Sequence, residues 1–313
     1  MEQGTRRVLL AVNGSDESMT AIRYVCGCLP PRGSEITLFQ VLSSVPEEFW
    51  DLEKDPVWAK RIEIVRTWED EQKKRCNDFM DRAGAHFRAS GFSADTVTTK
   101  IGVQKEGIAR DVVREGKNNY HVLVIGRGES GSNPQMPLGG VTSKLIAHDS
   151  LPSIWLIGGE PLSSRLLIAL DSSPQAISLI EHVAAMFDCR KLDVTLFHAI
   201  RGISVSIQGM ESIFPSDYAK SITEDAQTKI GPIMEKAKKR LIEAGVPADN
   251  ISIKIASGVT SRASAIVEEA VQGQFGTIVC GRRGVSQVDD FSMGRVANKL
   301  TQLARSQALC IVA

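Results

Sequence analysis

The sequence predicts an α/β protein made of two tandem domains, each built on a doubly wound parallel sheet. Three observations carry this. Short β-rich apolar runs alternate with longer amphipathic stretches, the runs are apolar enough to be buried on both faces, and the whole alternation occurs twice in one order.

In the first half the strand-like runs are Val8–Val12, Ile36–Leu42, Thr96–Ile101, Val122–Ile125 and Ser153–Ile157. Each is four to seven residues long, rich in β-branched side chains, and bounded by turn or charged residues such as Asn13-Gly14. Between them the period lengthens to that of a helix over Ser18–Leu29, a long charged stretch around Val57–Ala89, Gly107–Lys117 and Gly139–His148. The second half repeats the series, and there Ser173-Pro174 reads as a helix cap followed by proline at the first helical position.

The repetition is legible block by block. Val8–Ser15 aligns with Leu166–Ser173, and Ile36–Val41 with Val194–Ala199, both displaced by 158 positions. Val122–Arg127 aligns with Thr277–Arg282, and Gly139–Leu145 with Gly294–Leu300, both displaced by 155. Four blocks in one order at near-constant displacement mean a duplicated domain. The boundary falls in the turn-rich segment Gly158–Ser164, giving domains at 1–158 and 165–313.

Lysine plus arginine total 37 and aspartate plus glutamate total 37, so the chain has no general charge bias toward nucleic acid or a membrane surface. No apolar run approaches the ~18 residues of a membrane span. The five apolar residues Val8–Val12 are too few for a secretory leader, and the six cysteines are dispersed without a CxxC pair. The expectation is a cytoplasmic protein with reduced thiols, no metal site, no nucleic-acid partner and no membrane partner. Cys26-Gly27-Cys28 reads as buried small residues on a helix.

Ligands of such sheets bind at the carboxyl ends of the strands. There the second half carries Gly281-Arg282-Arg283-Gly284, nine further residues, and Gly294-Arg295-Val296 opening a helix. A turn of this kind aims backbone N–H groups at phosphate, and the helix N-terminus adds partial positive charge. Asn13 and Asp171 end the first strand of each half with a short side chain able to accept a hydrogen bond from a ribose or base. Gly126-Arg127-Gly128-Glu129-Ser130-Gly131 is a literal GxGxxG, but Pro134 and Pro137 prevent a helix from opening at Gly131, and the repeat lacks the pattern.

A strand ending in Asp-Gly-Ser or a variant, followed by a G-x2-G-x9-G-[ST] loop, resembles the universal stress protein family in its tandem two-domain form, over essentially the whole chain. The resemblance implies two three-layer α/β/α domains, each a five-stranded parallel sheet of Rossmann-like, adenine nucleotide alpha hydrolase-like topology. It also implies domain pairing through the last strands, Ser153–Ile157 and Ala308–Val312, and ATP or another adenine nucleotide, with or without magnesium, held by the loop.

Nucleotide contact is thereby assigned in the second domain to Ala169, Leu170, Asp171, Ala199, Gly281, Arg282, Gly284, Gly294, Arg295 and Val296. The corresponding first-domain positions are Val12, Asn13, Val41, Gly126, Gly128, Gly139, Gly140 and Val141. The first domain departs from the family pattern: Asn13 replaces the aspartate, Glu129 stands where the second loop glycine belongs, and Gly140 replaces the phosphate-binding hydroxyl residue. Like charge at Glu129 opposes phosphate. The second domain departs only at Arg295, which either clamps phosphate or fills the pocket and pairs with Asp289 or Asp290. Arg282 and Arg283 lie in the same loop, as phosphate contacts or as solvated side chains.

The glycines admit a plainer reading as tight-turn punctuation. His198 has no nucleophile beside it and reads poorly as a general base, and His86, His121, His148 and His182 receive no role. Glu47–Arg75, with Trp50, Trp58 and Trp68, and Gly202–Ser216, with Met210, Ile213 and Phe214, read as sheet-covering segments or as partner surfaces. Two functions of different class follow: an adenine-nucleotide (ATP/AMP) binding regulatory module, with the second domain as the better site, or a nucleotide-independent stress-response scaffold with vestigial loops. Without a dedicated base or a Walker lysine, enzymatic activity is at most a slow ATPase. Further assembly into a homo-oligomer stays open.

Overall fold

The structure, a computed structural model, describes residues 5–45, 58–128, 138–159, 163–173, 175–202, 216–284 and 293–313. The first half runs β1 (Arg6–Ala11), α1 (Asp16–Cys28), β2 (Ser34–Leu42), α2 (Ala59–Ala89), β3 (Val97–Val103), α3 (Ile108–Gly116), β4 (Val122–Gly126), α4 (Gly140–Ile146) and β5 (Ser153–Ile157). The second runs β6 (Arg165–Ala169), α5 (Ala176–Met186), β7 (Asp193–Arg201), α6 (Ser216–Glu243), β8 (Ile251–Val259), α7 (Arg262–Gln272), β9 (Thr277–Gly281), α8 (Arg295–Leu303) and β10 (Ala308–Val312). Each half is the doubly wound parallel sheet of five strands that the repeat pattern predicts.

The two sheets are one. The strand order is β3-β2-β1-β4-β5-β10-β9-β6-β7-β8, parallel within each half and antiparallel only where β5 meets β10. There Leu309 pairs with Leu156, Cys310 with Trp155 and Ile311 with Ile154, so the chain's own last strands join its domains. Strand alternation then sorts the core into two layers. Val8, Leu10, Trp155, Ile168 and Cys310 face α1, α2, α5 and α6, while Leu9, Ile154, Leu167, Leu309 and Ile311 face α3, α4, α7 and α8. Both layers run unbroken through the joint, and every residue of β5 and β10 is buried.

Equivalent side chains lock the joint from both domains. Tyr24 of α1 hydrogen-bonds Thr277 of β9 at 2.8 Å. Its counterpart in the repeat, His182 of α5, accepts from Trp155 Nε1 at 3.1 Å. Arg127, just past β4, donates from Nη1 to the Thr301 carbonyl at 2.6 Å and from Nη2 to that of Ala304. Arg282, just past β9, donates to the carbonyls of Asp149 (3.2 Å), Leu151 (3.1 Å) and Pro152 (2.8 Å).

Some element boundaries differ from the sequence expectation, for identifiable reasons. β1 begins at Arg6 rather than Val8 because Arg6 and Arg7 already pair with Ser34 and Glu35 of β2, and the buried Arg6 guanidinium reaches the Ala185 carbonyl of the other domain. Ser15 caps α1 by accepting from the Ser18 N–H, whereas α5 lacks the expected Ser173 cap. It starts at Ala176 after Gln175, and the Ala176 N–H takes the Ser173 backbone carbonyl instead. Pro174, Trp50, Glu129, Asp289, Asp290 and the segment from Ile203 to Phe214 lie outside the described residues. Trp68 is partly exposed on α2 beside the more exposed Ile64. Among the described residues no helix is long and apolar enough to cross a membrane.

Candidate functional site

In the second domain the carboxyl ends of β6, β7 and β9 and the first turns of α7 and α8 enclose a cleft of about 1310 Å³. That exceeds the ~300–1,000 Å³ typical of small-molecule sites. All ten second-domain positions singled out in the sequence line it: Ala169, Leu170, Asp171, Ala199, Gly281, Arg282, Gly284, Gly294, Arg295 and Val296.

The local fold explains how they meet. Asp171 follows β6 and turns the chain by accepting the Ser173 N–H on Oδ1 at 3.0 Å. Its other oxygen approaches Gly284 so closely that a Cβ there would stand 2.8 Å from Asp171 Oδ2. The contact is made at the loop's second glycine, where any side chain would push the carboxylate aside. The loop then closes on itself, the Gly294 N–H donating to the Arg282 carbonyl at 2.8 Å, and Gly294 becomes the residue from which α8 departs. The N-terminus of α8 with Arg295 at its first position therefore faces the same space as Asp171.

Arg282 is among the lining residues, but its guanidinium is turned toward the first domain, bound to the three carbonyls named above, and the residue is 6% exposed. The sequence reading of this side chain as a phosphate contact or a solvated loop arginine missed that destination. Arg283 has its guanidinium 3.9 Å from the Asp149 carboxylate of the first domain. His198 is buried, and its Nδ1 lies 2.7 Å from the Leu170 carbonyl, tying the ends of β6 and β7 beneath the cleft. A carbonyl oxygen only accepts, so Nδ1–H donates this bond, and burial pushes the ring's pKa down.

The first-domain positions surround the matching strand ends, with different chemistry. The Asn13 side-chain oxygen accepts from both Ser18 Oγ (2.7 Å) and the Ser15 N–H (3.1 Å), so it holds the start of α1. Val12 and Val41 are buried, Gly126 ends β4, and Gly140 and Val141 open α4 after Gly139. Gly128 adopts a φ of +73°, which favours glycine, and folds the chain back toward Gly139. Thr142 donates to the Gly126 carbonyl at 3.1 Å, and the Gly139 N–H to the Arg127 carbonyl at 3.0 Å.

Residues not singled out by sequence complete the second cleft. Arg201, Lys229, Arg262 and Lys299 line it with Arg283 and Arg295, against Asp149 and Asp171. Lys299 Nζ donates to Ser261 Oγ, the residue that caps α7, at 3.1 Å. The described lining is thus cationic, suited to an anionic ligand. Only Lys299 left a sequence signal, as part of a repeated Lys-Leu pair at 144 and 299. Arg201 lies two residues past the repeated block Val194–Ala199, and Lys229 and Arg262 come from elements with no repeated motif. Among the described residues no cluster of three His, Cys, Asp or Glu is placed to hold a metal ion.

Comparison with known proteins agrees with this architecture. The Universal stress protein family pattern matches residues 4–152 and again 163–311. The universal stress protein YxiE of Bacillus subtilis (strain 168) is 24% identical over 150 residues, which are 47% of this chain and 98% of that protein. Among solved structures, a universal stress protein from Archaeoglobus fulgidus DSM 4304 superposes with a TM-score of 0.60 at 15% identity, covering 98% of this chain and 97% of its own. A putative universal stress protein from Pseudomonas aeruginosa UCBPP-PA14 gives 0.55 at 13%, covering 99% and 94%. At these identities the two structural likenesses show the fold. With the family pattern present twice, once in each half, this chain belongs to the universal stress protein family.

Proposed function

We propose that this stress protein is an adenine-nucleotide binding regulatory module whose nucleotide, ATP, AMP or another adenine nucleotide with or without magnesium, sits in the second-domain cleft. The observation that carries the reading is the approach of Asp171 to a loop position that only glycine fits, beside the N-terminus of α8. A carboxylate held there accepts from ribose or base hydroxyl and amino groups. The helix N-terminus and the cationic lining favour phosphate. Binding is the role this reading assigns, with at most a slow ATPase beside it.

In the first domain the same elements support a structural role. Asn13 is engaged by its own helix start and the first residue of α4 has no side chain, so that domain acts as the rigid partner of the second. The alternative, a scaffold that needs no nucleotide in either domain, draws on the diversion of Arg282 away from the cleft.

Calorimetric titration of the full chain with ATP, ADP and AMP separates these. Saturable heat at micromolar nucleotide that is lost in Asp171→Ala supports the nucleotide reading. Absence of heat up to millimolar nucleotide overturns it in favour of the scaffold. Mass spectrometry of small molecules released from the protein purified without added ligand gives an independent answer.

A further inference from the structure

The described lining of the second-domain cleft includes one residue of the first domain, Asp149, from the turn between α4 and β5. Arg282 sets its position, because the guanidinium that binds the carbonyls of Asp149, Leu151 and Pro152 fixes the backbone of that turn. The Asp149 carboxylate is left facing the loop, with Oδ1 3.9 Å from Arg283 Nη2. Both side chains are about half exposed, 57% and 44%, and so are accessible to a ligand in the cleft. Arg283 itself lies between Gly281 and Gly284, inside the turn proposed to receive phosphate. An acid of one domain therefore stands against the loop cation of the other.

We propose that Asp149 is a positioning residue that sets the phosphate-chain specificity of the second-domain site, acting through Arg283 to favour ligands with fewer phosphates. The inference rests on the nucleotide reading above and deepens it. Two effects share one sign. The carboxylate holds Arg283 in an ion pair, and it adds negative charge beside the loop, where each further phosphate is repelled. A nucleotide with a single phosphate meets the least of both. The exposure of the pair keeps the effect small and sensitive to salt.

The test is titration of the full chain with AMP and with ATP, for the wild type, Asp149→Asn, Arg283→Ala and the double variant. Asparagine retains the backbone carbonyl that Arg282 binds and approximates the shape of the aspartate. The expected result is a rise in the affinity ratio of ATP to AMP of about two- to fivefold in Asp149→Asn. The rise should shrink when salt is increased and fall in the Arg283→Ala background, as coupled residues require. A purely structural role would shift both nucleotides equally, so the ratio in Asp149→Asn would equal that of the wild type at every salt concentration. An unchanged ratio with intact binding overturns this inference and leaves the nucleotide reading standing. Absence of binding by every variant and by the wild type overturns both.

Discussion

Arg127 and Arg282 occupy the same place in the two repeats, and each guanidinium ends on backbone carbonyls of the other domain. Arg127 meets the carbonyls of Thr301 and Ala304 at the end of α8, and Arg282 those of Asp149, Leu151 and Pro152 just beyond α4. The end of α8 presents unpaired carbonyls and partial negative charge, so a cation is the fitting partner for it, while Arg282 satisfies carbonyls of the turn between α4 and β5. Burial pushes Arg127 down to about 10, with the neighbouring Arg305 adding to the shift, and the group remains charged at neutral pH.

Removing either arginine should therefore loosen the domain joint. Arg127→Ala and Arg282→Ala are each expected to lower stability by about 1.5–3 kcal/mol, the worth of hydrogen bonds to a charged group. Urea denaturation followed by tryptophan fluorescence measures this, since Trp155 sits on the joint. Midpoints equal to the wild type would mean that the strand pairing alone carries the contact.

Gly284→Ala should separate binding from folding. The new Cβ would meet the far end of a side chain, Asp171 Oδ2 at 2.8 Å, rather than backbone, so Asp171 moves and the fold does not. Stability is expected to stay within about 0.5 kcal/mol of the wild type, while nucleotide affinity falls at least about tenfold, the loss of roughly one charge-assisted hydrogen bond. Paired melting and calorimetric titration would show it, and unchanged affinity would remove Asp171 from the site.

The two repeats should respond differently at equivalent positions. Asn13→Ala strips two acceptor bonds from the start of α1 and should cost about 0.5–2 kcal/mol, as loss of a helix cap does, without changing nucleotide affinity. Asp171→Ala should abolish measurable affinity. A loss of binding in Asn13→Ala as well would place nucleotide in the first domain.

Acid should weaken the joint through His182. Burial, and secondarily the charge of His121, push this imidazole down to about 4, below its ordinary 6.5. The folded protein holds it neutral while the unfolded chain takes up a proton. Its contribution is thus fully present above pH 6.5 and is lost as pH falls toward 4, at up to about 1.4 kcal/mol per pH unit. His182→Gln keeps an acceptor for Trp155 and cannot titrate in this range. Its urea midpoint should fall less between pH 7 and pH 5 than that of the wild type, and equal slopes would exclude His182 as a source of the acid sensitivity.

What could be read from the sequence was what repeats along it. Leu9, Leu167 and their neighbours announce buried strands because alternation is local, and the glycines at 281, 284 and 294 mark the loop because spacing is local. The partner of Arg282 was not legible. Its acceptors are backbone carbonyls some 130 residues earlier, which carry no side-chain signature. The contribution of Asp149 was hidden for the same reason, since a first-domain turn enters the second cleft only once β5 and β10 are paired. Asn13 differs from Asp171 by one atom type, yet its role depended on whether Ser18 lay within reach.

The antiparallel joint between β5 and β10 also bears on inheritance. In an assembly of two identical chains, any substitution appears on both sides of the twofold axis at once. Here one polypeptide supplies both sides, so a change to either half happens once. An asparagine can secure a helix in one copy while its counterpart stays an aspartate beside a glycine, and neither alteration is forced upon the other. One chain carrying both sides of the joint thus leaves each half free to change without the other.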